Sequence, residues 1–204
     1  MRASVSAGVS VMARPRWIRR AGGHSPWQDT APVREELFGP ERLEQHAESL
    51  ARAQAITAHP PRVVALHHRL ADNIAALKAI HHRLSVDAAH RRDTVPAAEW
   101  LLDHYNHVEK HVGDIRRDLP PGYYRQLPRL ADGPFAGYPR VFGLTWAFVA
   151  HTDSRFDSTT LIRFLDAYQR VEPLTLGELW AVAISLRLYL VMLPYRGVLR
   201  SKRW

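Results

Sequence analysis

Leu101, Tyr105, Val108, Val112, Ile115 and Leu119 recur in alternating steps of four and three. That spacing lines them along one side of a helix, and the stripe must be buried against neighbouring helices. A strand would throw these residues onto both of its faces, so the segment can only be helical. Thr94 can cap this helix, and Pro96 suits its first turn, where a missing N–H costs nothing. Pro120-Pro121-Gly122 ends it.

The rest of the chain reads as partners for that stripe. Residues 1–33 are rich in Arg, Gly, Ser and Pro without periodicity, and they are expected to be a flexible tail. A first helix is predicted from Pro40-Glu41 to about Ala58, before His59-Pro60-Pro61. A second runs from about Arg62 to Leu84, carried by Leu66, Leu70, Ile74, Leu77 and Leu84, and residues 85–93 read as a loop. Residues 120–139, rich in proline and glycine, form a connector pinned by Tyr123, Tyr124 and Tyr138. From Arg140 to Ala150 the sequence is apolar almost all round, which marks a central helix. A fifth helix starts after Asp157-Ser158, either of which can cap it, burying Leu161, Phe164, Leu165, Tyr168 and Val171. Thr175 and Glu178 then match a capping box, opening a sixth helix that reaches about Leu193 before Pro194. No run alternates with period two, so the fold class is all-α: a bundle of about six helices. The expected organisation is a tail at 1–33, a helical domain at 34–194 and a basic tail at 195–204.

Charge decides which partners to expect. The formal net charge is +8, but the excess is terminal. Residues 1–34 hold six basic residues and one acid, and residues 195–204 hold four basic residues and no acid. The body between them is nearly neutral, so it lacks the folded basic face that tracks a nucleic-acid backbone. No specific nucleic acid is expected, and the tails suit weak contact with anionic surfaces. The best candidate span, Leu179 to Leu193, is interrupted by Arg187, so no transmembrane segment is expected. Residues 3–13 vaguely outline a signal core but are rich in Ser and Gly, and Arg14-Pro15-Arg16 follows; they read as leader rather than export signal. The absence of cysteine removes disulfides and thiolate metal sites.

Several residues carry possible chemistry. His104, His107 and His111 lie along one helical side, and three imidazoles that converge can hold zinc. Their segment also holds Asp103, Glu109 and Lys110, the composition of a solvated face opposite the stripe, so no metal is assigned. His67-His68 recurs as His81-His82 fourteen residues on, which puts both pairs on one side of the second helix. His151, Asp153 and Ser154 share residue types with a hydrolase triad, but neighbours in one turn do not form its relay, and a turn suits them better. Tyr124, Arg125 and Arg140, with Tyr123 and Tyr138 nearby, can offer aromatic faces and guanidinium donors to a sugar or an acidic partner, or simply tie down the connector. The candidate binding residues are Tyr124, Arg125, Arg140, His151 and Asp153; no catalytic residue and no cofactor are assigned.

Six blocks in order resemble the N-terminal region of bacterial cyclic β-1,2-glucan synthases. They begin with Glu35-Glu36-Leu37-Phe38 and Glu41-Arg42-Leu43-Glu44-Gln45-His46-Ala47-Glu48-Ser49-Leu50-Ala51. Pro96-Ala97-Ala98-Glu99-Trp100-Leu101-Leu102-Asp103 and Asp118-Leu119-Pro120 through Tyr123-Tyr124-Arg125-Gln126-Leu127-Pro128 follow. Gly137-Tyr138-Pro139-Arg140-Val141, Ala150-His151-Thr152-Asp153-Ser154 and Pro173-Leu174-Thr175-Leu176-Gly177-Glu178-Leu179-Trp180-Ala181 complete the series. The resemblance implies part of a large inner-membrane glycosyltransferase that builds a β-1,2-glucan from UDP-glucose on a protein-linked primer. It implies a region ahead of the membrane spans and the transferase domain, on the cytoplasmic side, partnered by the rest of that enzyme. The end departs from the family pattern: after Leu188 come Tyr189 to Pro194 and a basic stretch to Trp204, which reads as a truncated or frame-shifted copy. The functional expectation is therefore a non-catalytic helical region of such a transferase. The alternative is an independent interaction module whose basic tails meet anionic membrane or nucleic acid.

Overall fold

A computed structural model describes residues 36–89, 96–152 and 156–201. The predicted tail at 1–33, the Thr94 cap and Asp153 lie outside the described residues. The fold is all-α, as predicted, with seven helices and a two-stranded ribbon among the described residues.

Helix α1 (Pro40–Ala53) opens on a proline and buries Leu43, His46, Ala47, Leu50 and Ala51, one face at steps of three and four. That face packs on α6 (Ser158–Gln169). Helix α1 stops short of the predicted Ala58. Gln54 turns extended, and Ile56–Thr57 (β1) pairs antiparallel with Arg129–Leu130 (β2). The β-branched pair Ile56-Thr57 suits an extended backbone, but its partner lies more than seventy residues away, beyond the reach of local periodicity.

Helices α2 (Leu66–Ala89) and α3 (Pro96–Asp118) pack on each other and on α7 (Leu176–Ser201). The whole α3 stripe, Leu101 to Leu119, is buried, as are Leu66, Leu70, Leu77 and Ile80 of α2. Helix α2 runs on through residues read as loop: Ser85 bonds back to the His81 carbonyl, keeping a polar side chain satisfied within the helix. The connector holds a short helix, α4 (Pro121–Gln126), and strand β2.

Helix α5 (Arg140–His151) is the central element, with eleven of its twelve residues buried. Helix α7 (Leu176–Ser201) lies against α3 and α5. It does not end before Pro194. The helix runs on through the proline to Ser201. No described helix is long and apolar enough to cross a membrane. The two predicted caps within the described residues form: Asp157 accepts from the Thr160 N–H, and the Thr175–Glu178 capping box closes in both directions.

Candidate functional site

The candidate residues separate into three places. Arg140 is the first residue of α5, and its side chain turns inward beneath the start of α7. Its Nε donates to Glu178 Oε1 and its Nη2 to Glu178 Oε2, both at 2.8 Å. Nη1 donates to Glu172 Oε1 at 3.1 Å, and Nη2 also reaches the Pro173 carbonyl at 3.0 Å. Only 2% of Arg140 and 0% of Glu178 reach solvent. Burial alone would favour a neutral guanidinium, but the bonds and charge of Glu178, helped by Tyr168 and Glu172, outweigh it and raise its pKa. Tyr168 beside it is pushed up to about 12, chiefly by burial, and its hydroxyl donates to Gln54 Oε1. Arg140 therefore joins α5, α7, the Glu172-Pro173 corner and, through Tyr168 and Gln54, the end of α1.

His151, the last residue of α5, is in a different place. Its ring stacks on Phe38 at 4.0 Å between centroids, and Nδ1 meets the Glu36 carbonyl at 2.7 Å. The Phe38 N–H in turn donates to the His151 carbonyl. His46 of α1 sits edge-on, 4.6 Å away, and is buried. Burial, then the neighbouring His151 and Arg42, drop the His46 pKa to about 3, so that ring is neutral at ordinary pH. These contacts dock residues 36–38 on the end of α5.

Tyr124 and Arg125 lie in α4, at the third place. The Tyr124 ring is buried beneath the Arg129 guanidinium, 4.8 Å from its centroid, and meets His67 edge-on. Arg125 is exposed. Tyr138 lies close by: Arg69 Nε donates to its hydroxyl at 2.8 Å, and that hydroxyl donates to the Val64 carbonyl. Arg129 Nη1 donates to the Gly137 carbonyl at 2.9 Å. Tyr123 is turned the other way, its hydroxyl on the Gly177 carbonyl at the start of α7.

Sequence reasoning thus gathered the tyrosines correctly around the connector but missed Arg69, Arg129, His46 and Glu178 as their partners or counterparts. Glu178 was visible only as a helix cap. Arg129 had one signal, its place among the tyrosines and prolines of the connector; Arg69, on the distant α2, had none.

Three of the remaining histidines make structural contacts. His67 Nε2 meets the Leu119 carbonyl, and His81 stacks on Tyr105, so the first His of each pair faces α3. His104 stacks on Trp100 and bonds its carbonyl. Among the described residues no group of three His, Asp or Glu side chains is placed to hold a metal ion. A cavity of about 50 Å³, lined by Leu50, Gln54, Leu130, Asp132 and Phe135 among others, has room for water rather than a substrate.

Fold and site together define an all-α bundle domain fastened by a buried arginine–glutamate pair. No protein-family model matches the chain. It is similar to the Cyclic beta-(1,2)-glucan synthase NdvB of Rhizobium meliloti (strain 1021), 32% identical over 173 residues, which cover 84% of this chain and 6% of that protein. The resemblance read from the six blocks is real, and it concerns a small share of the relative's length.

Proposed function

We propose that this chain acts as a non-catalytic helical region of a cyclic β-1,2-glucan synthase-like membrane glycosyltransferase. Its role is contact with the rest of that enzyme, on the cytoplasmic side of the inner membrane, rather than chemistry. The observation that carries the reading is similarity running along 84% of the chain to one short part of a much longer synthase. Two features support it. Arg140, one of the two candidate arginines, is consumed in holding helices together. The first turns of α7 leave Leu176 73% and Trp180 71% exposed, with Leu179 beside them, an apolar face suited to a partner surface.

The test is an exchange in the related synthase. Replacing its matching region with this chain is expected to preserve glucan synthesis, whereas deleting the region abolishes it. The purified chain is expected to leave UDP-glucose unchanged. Turnover of UDP-glucose by the chain alone, or full synthesis after the deletion, would overturn the reading.

A further inference from the structure

The residues just before α1 lie over two imidazoles. Phe38 stacks on the His151 ring at 4.0 Å, meets the His46 ring edge-on at 5.4 Å, and has the Arg42 guanidinium 4.5 Å from its own centroid. Two backbone links accompany the stack. The Phe38 N–H donates to the His151 carbonyl at 3.1 Å, and His151 Nδ1 donates to the Glu36 carbonyl at 2.7 Å. An exposed ion pair joins Glu36 to Arg42, and Leu37 between the two anchors is exposed. Residues 36–38 are thus a strap held by one ring and two backbone bonds, whereas α1 beneath it packs a whole face on α6.

His46 is the ring that the strap helps to seal. It is 8% exposed, its Nε2 has no hydrogen-bond partner among the described residues, and His151 lies 4.6 Å away. A proton on His46 would sit in an apolar place beside a second imidazole and the Arg42 cation, with no acceptor at Nε2. The carboxylates near it are engaged elsewhere. Glu36 of the strap pairs with Arg42, and the arginines of α6 that reach α1, Arg163 and Arg170, pair with Glu41, Glu44 and Glu48. Lifting the strap lets water reach the ring, and it costs far less than unfolding the bundle because only residues 36–38 give up their contacts.

We infer that residues 36–38 form an acid-released latch, in which protonation of His46 frees the strap from the end of α5 while the helical bundle stays folded. The sign follows from the docked ring, whose pKa is about 3 against an ordinary 6.5. Docking is therefore complete above about pH 6.5 and is lost as pH falls between those values. Each tenfold in the docking equilibrium moves release about one pH unit below 6.5. One ring stack and two hydrogen bonds favour docking by about ten- to a hundredfold, which sets release at about pH 4.5–5.5. The latch does not depend on the synthase reading.

The experiment is amide and histidine-ring NMR on the full chain from pH 7 to pH 4, with far-ultraviolet circular dichroism on the same samples. The signals of residues 36–38 and of the His46 ring are expected to move together, with a midpoint between about pH 4.5 and 5.5, while helix content holds. His46→Leu is expected to keep the strap docked across the whole range. Phe38→Leu weakens docking without touching the titrating group, so its midpoint moves up towards 6.5 by about half a pH unit or more; if the core variant fails to fold, this one decides. Glu36→Gln leaves the acid release in place, because an exposed ion pair contributes little. A strap that stays docked to pH 4, strap and helices lost in a single step, release of the strap in folded His46→Leu at the parent's pH, an unshifted midpoint in Phe38→Leu, or loss of the acid response in Glu36→Gln would overturn the proposal.

Discussion

Glu178 receives Arg140 on both of its oxygens, at 2.8 Å each, while the same carboxylate caps the first turn of α7 through the Thr175 N–H at 2.9 Å. A single side chain thereby ends one helix's unsatisfied backbone and anchors the start of another. The charges also help each other: an acid in a helix's first turn is favoured by the helix dipole. The arrangement explains why a charged pair can survive in the core of the domain.

Glu178→Gln is expected to destabilise the domain by about 3–5 kcal/mol, because it strands the Arg140 cation in the core. The paired replacement Arg140→Met with Glu178→Leu should recover most of that loss, since neither charge is then left alone. Urea denaturation followed by far-ultraviolet circular dichroism reads both. A single variant that loses less than about 1 kcal/mol would show that solvent already reaches the pair.

Thr175→Ala tests the cap with both charges left in place, while also removing the hydroxyl's own bond to Glu178 Oε2 at 3.1 Å. It removes the hydroxyl that accepts from the Glu178 N–H at 3.2 Å. The expected loss is about 1 kcal/mol, seen as a lower denaturation midpoint with an unchanged slope against urea.

His46 sets an acid limb to stability. Its pKa falls from an ordinary value of 6.5 to about 3 in the folded protein. Between those values the unfolded chain binds a proton that the folded chain refuses. Stability is therefore fully present above about pH 6.5 and declines as pH falls towards 3, by up to about 1.4 kcal/mol per pH unit. His46→Leu should flatten that slope in denaturation curves collected from pH 7 to pH 4. Parallel slopes for the two proteins would place the acid sensitivity elsewhere.

Two glycines should respond in opposite directions to alanine. Gly137 has φ +82°, and a Cβ there would lie 2.5 Å from the Pro61 carbonyl oxygen and 2.8 Å from Val63 Cγ1. Gly137→Ala must displace backbone and strain φ at once, with an expected loss of about 2 kcal/mol or more. Gly113 lies exposed inside α3 with nothing within 4 Å of a new Cβ. Gly113→Ala should raise stability by about 0.5–1 kcal/mol through helix propensity. Thermal melts of the two variants against the parent protein decide both.

Particular elements mark how far the sequence could be read. The α3 stripe, the all-apolar α5, the Asp157 cap and the Thr175–Glu178 box were visible because each depends on residues within a few positions of one another. The β1–β2 ribbon was not, because Ile56 and Leu130 meet only after the chain has folded back. The end of α7 was misjudged because Pro194 is a local stop signal that the surrounding helix overrides. At the site, the tyrosine-rich connector was recognised, yet Arg140 was offered as a ligand-facing cation when it is buried, and Arg69 and Arg129 went unremarked.

Periodicity and capping are short-range physics, so the order of helices, the buried face of each and the class of the fold belong to the amino-acid sequence alone. Which cation is neutralised depends on whether a carboxylate lies a few ångströms away in space, and Arg140 finds Glu178 across 38 positions. Coulomb and hydrogen-bond energies act over such distances regardless of separation along the chain. Only the tertiary structure could therefore assign Arg140 to the core.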